Sequence, residues 1–310
     1  MVYSNSTPDL TRRRLLFSAL GAATTLALPR TGQAKKAPPE DPNAKKILVL
    51  GDSMIAGGVG LYLENGLRRE HGYNVRRKGK SSTGLARPDF FSWPKEARAQ
   101  AEAFPPDAVV AMFGGNDVQG LYMGKGEWIT WPEPGWPAEY ARRVNAFADI
   151  VAPQGQPLFW IGMPVMRPEK FHVRVQRVNT IYRAEMAIRP GGHFIDIWRL
   201  LADGDGEYTD RLDIDGVPGG KTERVRAGDG IHLSVAGAHR VEAHVRAIIH
   251  RVLSGAPSSP ATLLTPSTLS APSAPSAPSA PSAPSAPSAP SAPSTVAEAG
   301  PGLPELRDGA

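Results

Sequence analysis

The chain has 310 residues, with 35 Lys and Arg against 30 Asp and Glu, a net charge of +5 and no cysteine. Without cysteine there is no disulfide framework, thiol nucleophile, thiolate metal site or acylated lipobox cysteine. The basicity does not argue for a nucleic-acid partner: residues 1–34 hold four arginines against Asp9, a surplus of three that leaves +2 for the rest, and no basic run with interleaved aromatics follows.

The first segment runs Arg12-Arg13-Arg14-Leu15-Leu16-Phe17, stays apolar to Leu28, and leaves through Pro29 and Gly32-Gln33-Ala34. It reads as a signal peptide of twin-arginine type, cut after Ala34, and so predicts an exported, periplasmic or secreted protein. The apolar stretch is shorter than the roughly 20 residues a bilayer requires, so no stable transmembrane segment is expected after cleavage. Residues 35–44 read as a linker.

From Lys45 to Leu253, short apolar runs alternate with helical patterns, which predicts a parallel sheet covered on both faces. The strands are expected at 46–50, 74–78, 107–113, 157–163 and 193–197, and the helices at 60–71, 94–103, 137–151, 170–187 and 235–253. In the last helix Val235, Ala238, Val241, Val245, Ile248, Ile249 and Val252 share one face, with Ser234 as its N-cap. Beyond Leu253 the chain turns to Pro, Ser, Ala and Thr, with an Ala-Pro-Ser repeat from Ala271 to Ser294. Proline at every third position and little apolar surface predict a disordered, extended tail over 254–310.

Three motifs fall in this frame. Gly51-Asp52-Ser53 follows the first strand, Gly114-Gly115-Asn116-Asp117 follows the third, and Asp229-Gly230-Ile231-His232 precedes the last helix. By itself Ser53 would be an ordinary N-cap and His232 a surface histidine. Together they supply what acyl transfer requires: a nucleophile at Ser53, a base at His232, a carboxylate at Asp229 to orient it, and donors for the oxyanion. Asn116 offers a side-chain amide, Gly84 in Ser81-Ser82-Thr83-Gly84-Leu85 offers a backbone N–H, and Ser53 adds its own. Asp52 and Asp117 are expected to brace turns. The remaining histidines are read as structural or solvated.

In this order the motifs resemble the blocks of the SGNH, or GDSL-type, hydrolase superfamily. Segments such as Trp160-Ile161-Gly162-Met163-Pro164 resemble a subgroup of exported bacterial SGNH proteins of unknown function. The resemblance implies a flavodoxin-like three-layer α/β/α sandwich with a five-stranded parallel sheet. It further implies catalysis by Ser53, Asp229 and His232, an oxyanion hole of Ser53, Gly84 and Asn116, and no metal or organic cofactor.

The stretch from Trp128 to Trp136 is rich in tryptophan. Trp128, Trp131 and Trp136 are expected either to wall the site as a sugar platform or to pin their loop by packing on the domain. The function expected is an exported serine esterase acting on a short acyl ester, acetyl foremost, of a small molecule, a glycan or another envelope component. Lipase, thioesterase or O-acyltransferase activity would use the same residues, and a non-catalytic scaffold or glycan-binding module is the rival of another class.

Overall fold

The computed structural model describes residues 41–214 and 219–256; the expected signal peptide, the expected linker up to residue 40 and the expected tail beyond 256 lie outside them. Residues 41–44 form a turn, and the Asp41 carbonyl accepts the Asn74 side-chain amide at 2.6 Å.

Strand β1 (Lys46–Gly51) leads through a short helix α1 (Ser53–Ala56) into α2 (Gly58–His71) and then β2 (Asn74–Gly79). There follow α3 (Trp93–Ala103), β3 (Ala108–Met112) and a hairpin of β4 (Leu121–Gly124) and β5 (Glu127–Ile129). Next come α4 (Trp136–Val151), β6 (Leu158–Ile161), α5 (Glu169–Ile188) and β7 (Gly192–Ile195). A second small hairpin, β8 (Arg211–Asp213) with β9 (Thr222–Arg224), precedes α6 (Val235–Ser254). Helix α6 runs one residue past the expected end because Gly255 closes it in the left-handed conformation.

Five strands form one parallel sheet in the order β2-β1-β3-β6-β7. This is the flavodoxin-like order, in which the chain reverses direction across the sheet between β1 and β3. Helix α2 packs on α6, while α3 packs on α4 and α4 on α5. Right-handed crossovers place these two groups on opposite faces, giving three layers. β1 and β3 are therefore covered on both sides, and Ile47, Leu48, Val49, Leu50, Val109 and Val110 are all fully buried.

The register sets the level of the site. Gly51, at the end of β1, lies opposite Gly79 of β2 and Met112 of β3. The segments that carry Ser53, Gly84 and Asn116 consequently leave the sheet at one height, along its carboxyl edge.

Candidate active site

Asp52 ends the loop after β1 and caps α1, its Oδ1 accepting the Met54 N–H at 2.9 Å. Ser53 is thereby the first residue of α1, where backbone N–H groups have no carbonyl partner inside the helix. Its Oγ lies 2.8 Å from His232 Nε2. His232 Nδ1 lies 2.6 Å from Asp229 Oδ2, while Asp229 Oδ1 accepts the N–H groups of Ile231 at 2.8 Å and His232 at 2.9 Å. With the Nδ1 proton facing Asp229, Nε2 is left to accept the hydroxyl proton of Ser53.

Partial burial works to raise the Asp229 carboxyl, but the hydrogen bonds from the His232 ring and the two N–H groups outweigh it and bring it down to about 2. An anion is thus held beside the imidazole at neutral pH. Ser53, His232 and Asp229 are brought together from the two ends of the domain.

Gly84 and Asn116 line one cavity together. The Asn116 amide donates to the Thr83 carbonyl at 3.0 Å, which leaves its second hydrogen for a ligand. Among the described residues no backbone hydrogen bond engages the N–H of Ser53 or Gly84. Asp117 braces this corner: its Oδ1 accepts the Ala86 N–H at 2.7 Å and its Oδ2 accepts the Tyr140 hydroxyl at 2.7 Å. The Tyr140 hydroxyl is 2.6 Å from that of Tyr182, which donates to the Phe113 carbonyl at 3.1 Å. Arg143, on α4, holds the same loop from behind by donating to the carbonyls of Leu85, Ala86 and Tyr122.

Asp52 and Asp117 are almost completely buried. Burial pushes Asp52 up to about 7, against its bond from Met54, and the neighbouring Asp117 charge adds to the rise. Burial pushes Asp117 up to about 6, against hydrogen bonds from Ala86, Tyr140 and Leu85 and the Arg143 charge. Both brace turns, as their positions in the sequence suggest, but the coupling between them through the interior has no signal in sequence spacing.

A cavity of about 280 Å3 adjoins this corner, lined by Ser82, Gly84, Arg87, Phe90, Asn116, Asp117 and Gln119. A larger one of about 520 Å3 shares Gly84 and continues between Phe91, Trp93, Met123 and Arg143. Trp136 is not at the surface: it is fully buried, stacked on Tyr140, with its indole N–H donating to the Gln119 carbonyl at 2.6 Å. It therefore cannot offer a face to a sugar. Trp131 meets Trp136 edge-on and sits beneath the guanidinium groups of Arg174 and Arg177, so it too serves as a pin. Trp128 is 41% exposed and lies under Arg87, which itself lines the smaller cavity.

Among the described residues, no group of three or more His, Cys, Asp or Glu could hold a metal ion, and no helix is long and apolar enough to cross a membrane. The hydrogen-bonded series from serine through histidine to aspartate, at the carboxyl edge of a parallel sheet, is a serine-hydrolase arrangement on an α/β/α sandwich. The sequence matches, over residues 46–247, the family described as "Protein of unknown function (DUF459)", and the chain belongs to that family. No curated protein is significantly similar to it.

Solved structures similar to the chain include TesA, at 22% identity and a TM-score of 0.42, covering 65% of this chain and 96% of that one. LAE5, an alpha/beta hydrolase enzyme from the metagenome of Lake Arreo, Spain, matches at 18% identity and a TM-score of 0.46, covering 69% and 97%. A catalytic mutant of Axe2, an acetylxylan esterase from Geobacillus stearothermophilus, matches at 16% identity and a TM-score of 0.45, covering 66% and 94%.

Proposed function

We propose that the protein is an exported SGNH-type serine esterase that removes a short acyl group, acetyl foremost, from a carbohydrate or related envelope component. The observation that carries this reading is the continuous Ser53–His232–Asp229 hydrogen-bonded series. Ser53 Oγ attacks the ester carbonyl carbon while His232 Nε2 takes its proton, and the carbonyl electron pair moves onto oxygen. That oxyanion is received by the N–H groups of Ser53 and Gly84 and the Asn116 amide. On collapse the alcohol oxygen leaves with the proton from His232, and water then attacks the acyl-enzyme by the same route. Asp229 stabilises the imidazolium formed in each half-reaction.

The substrate class is supported by the smaller cavity. It combines a guanidinium, two side-chain amides and the Phe90 ring, which is 61% exposed, the mixture of polar partners and aromatic face that suits a hydroxyl-rich ring. The leader and its twin-arginine-like pattern support export.

A second reading has its own observation. The larger cavity shares Gly84 with the first and is walled by Leu85, Pro88, Phe91, Trp93 and Met123, which favours a longer acyl chain and hence lipase or thioesterase work. Transfer of the acyl group to a sugar hydroxyl instead of water would use the same residues.

The test is in two parts. The mature protein is treated with a fluorophosphonate, expected to label Ser53 in wild type and not in Ser53→Ala; failure of the folded wild type to label overturns the enzyme in favour of a non-catalytic scaffold. A panel of acetyl to long-chain esters and acetylated glycans then decides between the two readings. Faster turnover of the long chains would reject the short-acyl one.

A further inference from the structure

Arg226 is fully buried, and among the described residues no carboxylate lies within ion-pair distance of it, although the Asp229 charge and the Tyr208 hydroxyl act on it. Its Nη2 donates to the carbonyls of Val165 at 2.5 Å, Gly230 at 3.2 Å and Ile231 at 3.4 Å. Its Nε and Nη1 are buried without a hydrogen-bond partner, and its guanidinium lies 5.2 Å from the Tyr208 ring centre. A guanidinium removed from water at this cost is a poor way to fill space, since an apolar side chain would do so more cheaply.

What it touches is specific. Gly230 and Ile231 are the two residues between Asp229 and His232, and Val165 lies in the segment that follows β6. The loop also closes on itself around this side chain, with the Ala227 N–H donating to the His232 carbonyl at 2.9 Å and Arg226 bridging Leu233. Arg167, from the same post-β6 segment, adds a second tie: its N–H donates to the Gly230 carbonyl at 3.1 Å and its Nη2 to that of Gly228 at 2.8 Å. Gly230, at φ +72°, lies so close beneath Arg167 that a Cβ there would stand 2.5 Å from that residue's Cβ.

We infer that Arg226 is a positioning residue for the base: a buried cation that gathers the carbonyls before His232 and fastens the Asp229–His232 loop to the end of β6. The inference rests on the serine-esterase reading above. Its effect passes through the imidazole, so it acts on the chemical step and not on substrate binding. Misplacing a reacting group by about 1 Å costs on the order of a hundredfold in rate.

The experiment compares wild type, Arg226→Lys and Arg226→Met, with active sites counted by fluorophosphonate labelling of Ser53 and folding followed by circular dichroism. Lysine keeps the charge, but its single ammonium cannot reproduce the guanidinium's fixed set of contacts. Arg226→Lys is expected to fold, with kcat on a short-chain aryl ester and the labelling rate lowered roughly tenfold or more and KM unchanged. The methionine variant should be lower still, with lysine restoring part of the loss. If Met prevents folding, the Lys variant decides alone. A folded Lys variant with wild-type kcat and labelling rate overturns the inference, even if its melting temperature has fallen, because a purely structural role would show only there. A wild type that does not label removes the serine-esterase reading and this inference with it.

Discussion

Gly84 and Asp117 approach so closely that a Cβ on the glycine would stand 2.1 Å from the carboxylate Oδ1. The same oxygen accepts the Ala86 N–H, so the carboxylate and the loop it braces have no room to separate. Replacing Gly84 by Ala must displace one or the other, and with it the backbone N–H proposed above as an oxyanion donor. Gly84→Ala should lower kcat by tenfold or more and cost about 1–3 kcal/mol of stability by overpacking. Steady-state kinetics and urea unfolding check both, and a variant with wild-type kcat would detach Gly84 from the oxyanion hole.

How far the sequence discloses this site depends on where each contact originates. The five sheet strands and five long helices are legible because buried parallel strands are short continuous apolar runs and the helices between them keep a 3.6-residue period. The expected third strand is shorter at both ends, since Asp107 instead caps β1 by accepting the Lys46 N–H and Phe113 turns into the site loop. The β4–β5 hairpin goes unread because each strand has only three or four residues around a Gly124-Lys125-Gly126 turn. Ser53, Asn116, Asp229 and His232 are visible as local motifs. Arg143 and Arg226 are not, because their importance lies in carbonyls presented by distant segments. Trp136 stays open between wall and pin in the sequence for a related reason: only the fold discloses that the Gln119 carbonyl satisfies its N–H and allows the ring to be buried.

The hydrogen-bonded series makes a graded prediction. Ser53→Ala and His232→Ala should each lower kcat on the order of 10^6-fold, because the two act as one unit. Asp229→Asn, which keeps the loop but alters the proton on the imidazole, should cost about 10^4-fold. Circular dichroism should be unchanged throughout. Equal losses for a double and a single variant would support the unit, whereas additive losses would count against it.

Asn116 separates oxyanion stabilisation from substrate binding. Asn116→Ala removes one hydrogen-bond donor and should raise the barrier by about 2.7–4 kcal/mol, a loss of 10^2 to 10^3 in kcat with KM little changed. It also takes the side-chain donor away from the carbonyl of the buried Thr83, so stability should fall by about 1–3 kcal/mol as well. A rise in KM at constant kcat would assign the side chain to binding instead.

The buried acids give a stability profile with a definite sign. Asp52 and Asp117 are raised to about 7 and about 6 from an ordinary value of 3.8. Between 3.8 and these values the folded chain keeps protons that the unfolded chain releases, so their contribution is full below 3.8 and is lost as pH rises through 6 to 7. Burial lowers His71, His193 and His244, which act oppositely and weaken the fold as pH falls below 6.5. The isolated effect is therefore a difference: the melting temperature of Asp52→Asn relative to wild type should climb between pH 4 and pH 8. A difference that stays flat across that range would refute the buried protonated acid at Asp52.

The tryptophans divide by burial, and substitution should expose the division. Trp136→Ala empties a fully buried site beside Tyr140 and orphans the Gln119 carbonyl, costing about 3–5 kcal/mol and lowering activity on every substrate in proportion to folded protein. Trp128→Ala removes a half-exposed ring whose one face carries Arg87, itself held by a two-pronged bond to Asp89. Stability should change by less than about 1 kcal/mol, while KM for an acetylated glycan rises severalfold against an unchanged small aryl acetate. That contrast is what a sugar-stacking face requires, since a small aryl acetate carries no sugar ring to stack. Parallel changes on both substrates would leave Trp128 as a prop for Arg87 and withdraw the last of the three tryptophans from the substrate wall.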